Sequence, residues 1–277
     1  MKRKLLFFDI DGTLVGYDSF MPKSATMALR MAQANGHKLL ICTGRSKHQI
    51  YKHLLDFGFD GIVSATGGYV EYERKELYHS IFGKKRLKKV MDYFAGTQAG
   101  LLLQRKEDSI SAPLYEKTFI EAFAKRFPRV QHLCEISPFA NITLDDNIEN
   151  YSEKYWDVES IIYCNAAEST EIIRRLAPEI HVETASYKEP EPYSGEITLS
   201  ESNKATGIQK VLEHLGMKRE DVIAFGDGAN DMEMLDFAGT SVVMGNAPGY
   251  IKEHASYVTS DLNKDGIYHA MKHLQLI

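Results

Sequence analysis

Along residues 4–10, Lys-Leu-Leu-Phe-Phe-Asp-Ile, apolar side chains run together until Asp11-Gly12 interrupts them. A short unbroken apolar run that ends abruptly in polar residues predicts a strand buried on both faces. From Pro22 to Gly36, Met27, Met31 and Ala34, with Ala28 and Ala32 between them, follow a helical period and close on Asn35-Gly36, a glycine stop. A second apolar run, Lys38 to Cys42, ends in Thr43-Gly44-Arg45, and a helical stretch over Lys47 to Phe57 leads to a third strand at Gly61 to Ser64. Strand, helix, strand, helix, strand predicts a doubly wound parallel sheet.

The alternation then breaks. Tyr69 to His79 reads as a hairpin and Lys84 to Phe94 as a basic-faced helix. Up to about residue 188 the chain offers strands at Leu101 to Gln104, Ser109 to Ala112, Ser160 to Cys164 and His181 to Glu183, with helices at Tyr115 to Phe127 and Ser169 to Leu176. Such a mixture predicts a small α+β insert, with Glu189-Pro190-Glu191-Pro192 as a stiff exit linker. The doubly wound pattern returns with a strand at Ile197 to Leu199, a helix at Asn203 to Leu215, a strand at Val222 to Phe225, a helix at Asp231 to Phe237, a strand at Thr240 to Met244 and a terminal helix at Lys264 to Leu274. The expected division of the 277 residues is an α/β core, 1–83 plus 189–277, around a cap domain, 84–188.

Composition narrows the partners. With 38 acidic against 33 basic residues and a net charge of −5, the chain has no overall field to hold nucleic acid or an anionic membrane. A 44% hydrophobic content with 20 Gly and 8 Pro argues against disorder. Cys42, Cys134 and Cys164 form no C-x-x-C spacing and suit a reducing compartment. Only four apolar residues precede Asp9, too few for a signal peptide, and no run approaches the roughly 20 that span a bilayer. A cytoplasmic protein is expected. Oligomeric state leaves no signal.

In open α/β sheets ligands collect at the carboxyl ends of strands, where Asp9, Asp11, Thr43 and Asp227 all fall. Alternation along a strand puts Asp9 and Asp11 on one side as the chain leaves the sheet. Two such carboxylates repel unless a cation lies between them or one is protonated. A hard, oxygen-ligated ion such as Mg²⁺ suits Asp9, Asp11 and Asp227, and a protonated partner can act as general acid.

Asp9-Ile-Asp11-Gly12-Thr13-Leu14 resembles the first motif of the haloacid dehalogenase (HAD) superfamily, Thr43-Gly44-Arg45 the second, Lys204 the third and Gly226-Asp227-Gly228-Ala229-Asn230-Asp231 the fourth, in the family's order. The insert, with Val243-Met244-Gly245-Asn246-Ala247, is similar to the Cof-type phosphatases. The resemblance implies a HAD-like (Rossmann-like) core carrying a cap that closes over the Asp9 pocket. It implies Asp9 as nucleophile, Asp11 as general acid and base, and Mg²⁺ on Asp9, the Asp11 backbone carbonyl and Asp227. Thr43, Gly44, Lys204 and Asn230 would bind the substrate phosphate. Asp231 would orient Lys204 or a metal-bound water. Arg45 would contact a second substrate anion or pair with a cap carboxylate.

The implied activity is Mg²⁺-dependent hydrolysis of small phosphorylated metabolites, sugar phosphates foremost, through an aspartyl-phosphate. Rivals are a phosphotransferase or phosphomutase on the same substrates and a catalytically idle sensor. Dehalogenation is disfavoured, because that branch lacks an equivalent of Asp11. Gly226-x-Gly228 half imitates a dinucleotide fingerprint, but Asp227 would set a carboxylate against the pyrophosphate. His269-x-x-x-His273 has metal-compatible spacing and reads as a solvated pair, and Lys84 to Lys89 reads as an exposed helix face. Ser46 and Cys42 stand beside the second motif, and a serine or cysteine nucleophile is not expected. One departure stands out. The subfamily's usual Asn-Gly-Ala is Thr66-Gly67-Gly68 here, which suggests close approach of substrate or a hinge.

Overall fold

A computed structural model describes residues 2–16, 18–97, 99–112, 142–147, 150–166, 176, 178–184 and 193–277. The helix expected over 115–127, residues 169–175 of the helix expected over 169–176, the linker at 189–192 and Cys134 lie outside the described residues. In chain order the elements are β1 (Leu5–Phe8), α1 (Lys23–Ala34), β2 (Lys38–Cys42), α2 (Lys52–Phe57), β3 (Gly61–Ser64), β4 (Tyr69–Tyr72), β5 (Lys75–His79), α3 (Gly83–Phe94), β6 (Gly100–Gln104), β7 (Ser109–Ser111), β8 (Ile142–Leu144), α4 (Tyr151–Lys154), β9 (Ser160–Ala166), β10 (Ile180–Thr184) and β11 (Tyr193–Leu199). Then follow α5 (Lys204–Leu215), β12 (Val222–Gly226), α6 (Met232–Phe237), β13 (Thr240–Val243), α7 (Gly249–Lys252), β14 (Tyr257–Val258) and α8 (Gly266–His273). None of the described helices is long and apolar enough to cross a membrane.

The chain forms two compact units. The first comprises Met1–Gly44, Tyr51–Tyr78 and Asn203–Ile277. Its sheet runs β14-β13-β12-β1-β2-β3-β4-β5, parallel from β14 to β3 and antiparallel where β4 returns beside β3. Every residue of β1 and β12 is buried, as expected for central strands covered on both faces. Phe8 lies opposite both Ile41 and Phe225 in register, and its ring stacks on Phe225 at 4.5 Å. These pairings bring the chain after β1, β2 and β12 out at one edge of the sheet.

The structure fixes which face of the first helix is buried. In α1 the buried row is Ala25, Ala28, Leu29 and Ala32, while Met27 and Met31 are exposed. The buried positions follow the i, i+3, i+4, i+7 spacing of a single face, so the methionines, despite their hydrophobicity, belong to the opposite stripe.

The second unit comprises Arg45–Ile50 and His79–Ser202. Its sheet runs β10-β11-β9-β6-β7-β8, antiparallel except for the β7–β8 pair. Leu87, Val90 and Phe94 of α3 share a core with Leu101, Leu103, Ile161, Tyr163 and Ile197. The strand at 197–199, expected to rejoin the first sheet, is part of β11 and pairs with β9 and β10. Its apolar residues, Ile197 and Leu199, fill this second core, which holds it there. Between β6 and β7, Arg105 binds Asp108 and Asp157 and closes the turn.

Candidate active site

Asp9 follows β1, and its backbone N–H still bonds to the Phe225 carbonyl at 3.0 Å. The last sheet contact therefore fixes the backbone that carries the carboxylate. Register puts Thr43, just past β2, and Asp227, just past β12, on either side of it. Asp9 and Thr43 are buried, whereas Asp11 is exposed and Gly44 and Asn230 are partly so.

Lys204 opens α5 because Asn203 caps that helix. The Asn203 side chain accepts from the Thr206 N–H at 2.8 Å, and the Thr206 hydroxyl accepts from the Asn203 N–H at 2.9 Å, a reciprocal cap. The Lys204 ammonium is 0% exposed and donates to Asp9 Oδ1 at 2.7 Å and to Asp231 Oδ1 at 2.5 Å. Burial works to lower its pKa, but the Asp231 and Asp9 charges outweigh that, and the ammonium is held well above the usual lysine range. Asp231 is fully engaged. Its other oxygen accepts from the backbone N–H groups of Asp227 and Gly228, both at 2.9 Å. Asp231 thus hydrogen-bonds Lys204 and also anchors the loop after β12.

Asp227 is bracketed. Thr13 Oγ1 donates to its Oδ1 at 2.9 Å, and Asn246 Nδ2 donates to its Oδ2 at 3.3 Å. Gly12 has φ +89°, and a Cβ there would stand 2.1 Å from Asp227 Oδ2, so this turn admits only glycine. Oxygen atoms of Asp9, Asp227 and Asp231 lie within 4.8 Å of one another. Burial, then the Asp231 charge, push the Asp227 carboxyl up to about 7. Burial and Asp231 likewise raise Asp9 well above the carboxylate range, against the pull of Lys204. Crowded, desolvated carboxylates of this kind fit a divalent cation, whose charge relieves the repulsion. Their hard oxygens suit Mg²⁺ chemistry. Asp9 and Asp227, with Asp231 beside them, are the side chains that could hold it.

Gly67 has a packing role that its sequence did not suggest. It has φ +86°, and a Cβ on it would meet the Asn203 carbonyl oxygen at 2.0 Å. Absence of a side chain lets the start of α5 lie against the turn after β3, one residue before Lys204. Gly207 faces the same contact, 2.4 Å from Val63 Cγ1 by the same construction. Asn246, Thr13 and Gly207 carried no role in the sequence reading. The strand-end rule that singled out Asp227 applies equally to Asn246, just past β13.

Other sequence candidates fall elsewhere. Arg45 belongs to the second unit, where its guanidinium donates to the Gln49 carbonyl at 3.2 Å. His269 contacts Ser260 Oγ and His273 stacks on Tyr257; both are exposed. Lys84 and Lys88 pair with Glu153 and Asp92 on an exposed face, as expected. Cys42 is buried and its thiol pKa driven up by that burial, which does not suit a nucleophile.

The profile of the haloacid dehalogenase-like hydrolases matches residues 6–271. A 5-amino-6-(5-phospho-D-ribitylamino)uracil phosphatase of Bacillus subtilis, YitU, is 28% identical over 278 residues, covering 98% of this chain and 97% of its own. The crystal structure of a hypothetical protein from Geobacillus kaustophilus is 31% identical with a TM-score of 0.82 and full coverage of both chains. A HAD subclass IIB sugar phosphatase is 28% identical with a TM-score of 0.79, covering 99% of this chain and 100% of that one. With its parallel sheet, strand-end carboxylates and buried lysine, the chain belongs to the haloacid dehalogenase-like hydrolases, as a phosphatase of the Cof type.

Proposed function

We propose that this protein is a Mg²⁺-dependent phosphatase that hydrolyses small phosphorylated metabolites, sugar phosphates foremost, through an aspartyl-phosphate on Asp9. The observation that carries this reading is the buried Asp9 carboxylate, bound by Lys204 at 2.7 Å and crowded by Asp227. A carboxylate oxygen of Asp9 bonds to phosphorus as the ester P–O bond breaks. The departing alkoxide takes a proton from Asp11. Water, losing its proton to Asp11, then cleaves the acyl phosphate and returns free Asp9. Mg²⁺, held by the carboxylates of Asp9 and Asp227 and the backbone carbonyl of Asp11, would supply positive charge against the phosphoryl oxygens.

The remaining donors orient the phosphoryl group. An ammonium has three N–H bonds; two of those on Lys204 serve Asp9 and Asp231, and the third serves the phosphoryl group. Thr43 gives a hydroxyl, Gly44 an N–H and Asn230 an amide. Positioning and charge are the main demands of phosphoryl transfer. A sugar-phosphate class is supported by the relatives, one named for a phosphorylated ribityl compound and one a sugar phosphatase.

The test is Mg²⁺-dependent phosphate release across a panel of phosphorylated metabolites, with Asp9→Asn expected to abolish turnover while leaving the circular dichroism spectrum unchanged. Release by Asp9→Asn at the wild-type rate would place the nucleophile elsewhere. Conversion of a hexose 1-phosphate to its 6-phosphate, without free phosphate, would instead identify a mutase.

A further inference from the structure

Asn246 makes three hydrogen bonds that together tie the loops of three adjacent strands. Its Oδ1 accepts from the Leu262 backbone N–H at 2.9 Å. Because that N–H can only donate, the amide orientation is settled, and Nδ2 faces the other way. There it donates to the Gly12 carbonyl at 3.0 Å and to Asp227 Oδ2 at 3.3 Å. Gly12 follows β1, Asp227 follows β12 and Asn246 follows β13, neighbours in the first sheet. Thr13 donates to the remaining oxygen, Asp227 Oδ1. The carboxylate is thus held from both ends.

We infer that Asn246 and Thr13 form a clamp that fixes the rotation of the Asp227 carboxylate and so presets it for a divalent cation. The inference rests on the proposed metal-dependent function. A carboxylate free to turn about its last C–C bond must lose that freedom when it binds an ion. A carboxylate already bracketed by two donors has lost it on folding, so binding is tighter. Either donor alone leaves the group able to swing about the other, and the clamp therefore needs both. Asn246 is exposed and Thr13 is buried, so the pair joins a surface loop to the interior through one side chain. Asn246 is a positioning residue on this account. It acts through Asp227.

Direct binding of Mn²⁺ to the metal-stripped, full-length protein, followed by electron paramagnetic resonance of the free ion, reads the clamp without turnover. Asn246→Ala should weaken Mn²⁺ binding about tenfold, the low end of losses seen for groups that support a metal ligand. Thr13→Val, which keeps the side-chain shape and removes the hydroxyl, should do the same. The double variant should be weakened little more than either single one, since one lost donor already frees the carboxylate. In a Mg²⁺ titration of turnover, Asn246→Ala should show a raised activation constant, with kcat at saturation lowered much less. Binding by Asn246→Ala within twofold of wild type would overturn the inference. So would multiplying, independent losses in the double variant, which would mean two separate structural effects. A wild-type protein that binds no Mn²⁺ and releases no phosphate with Mg²⁺ would instead defeat the metal-dependent function itself.

Discussion

Replacing Gly67 with alanine tests how the turn after β3 positions Lys204. Two costs can be separated. A residue with a Cβ held at φ +86° pays about 1–2 kcal/mol in the left-handed region. The added methyl would also sit 2.0 Å from the Asn203 carbonyl oxygen, so one of the two must retreat by about 1 Å to reach 3.0 Å. Overpacking of this order costs ~1–3 kcal/mol. Together they predict a loss of about 2–5 kcal/mol, or a melting temperature lower by roughly 5–20 °C. The Asn203 carbonyl accepts the Gly207 N–H at 3.1 Å, so its displacement moves the first turn of α5 and with it Lys204. A misplacement near 1 Å at a catalytic group costs about 10²-fold in rate. The assay is thermal melting beside kcat at saturating Mg²⁺, measured well below both melting temperatures. Gly36→Ala is the control, because Gly36 has the same φ of +86° but nothing within 4 Å. It should lose only the conformational cost and keep wild-type kcat. If Gly67→Ala melts with the control and turns over like wild type, the contact does not constrain Lys204 and the reasoning fails.

Two further expectations concern metal and pH. Mg²⁺ at a hundred times its dissociation constant should stabilise the protein by about 2.7 kcal/mol, visible as a higher melting temperature than in chelator. Asp227→Asn should flatten that response, and an unaltered shift in the variant would put the ion elsewhere. His48 Nδ1 bonds to the Arg105 carbonyl at 2.8 Å and Nε2 to Ser109 Oγ at 2.9 Å, an arrangement of the neutral ring with the proton on Nδ1. Burial, the main cause, lowers its pKa below the ordinary 6.5. A group with a depressed folded pKa gives its stability in full above the unfolded value, and loses it as pH falls toward the folded one. Wild type should therefore lose stability relative to His48→Asn below about pH 6.5. Equal melting-temperature slopes from pH 7.5 to 5.5 would contradict this.

The sequence carried much of the site because strand ends are written locally. Apolar runs that stop at Asp9, Thr43 and Asp227 mark both the central strands and the positions just beyond them, and parallel pairing then brings those positions together. Very short segments carried less. β8, α4 and β14 have three, four and two residues, too few for any period to show. In α1, Met27 and Met31 share the helical period with the alanines, and only the packing shows that the alanine row is the buried one.

Residue type and spacing alone determined the family, the doubly wound sheet and the identity of the charged groups, since each depends on neighbours within a few positions. Tertiary structure decided what those groups touch. Lys204 stands 195 residues from Asp9 in sequence, and only the packing of α5 against the turn at Gly67 turns an ordinary helix lysine into a buried cation between two carboxylates. Gly67 seats a helix, because the atom nearest its missing side chain belongs to Asn203. Asn246 acquired its contacts with Gly12 and Asp227 when β13 settled two strands from β1. The apolar residues of β11 suited either sheet, and pairing with β9 and β10 assigned them to the second. Local patterns fix which atoms leave the sheet. Long-range packing fixes the few ångströms between them, and the chemistry depends on those.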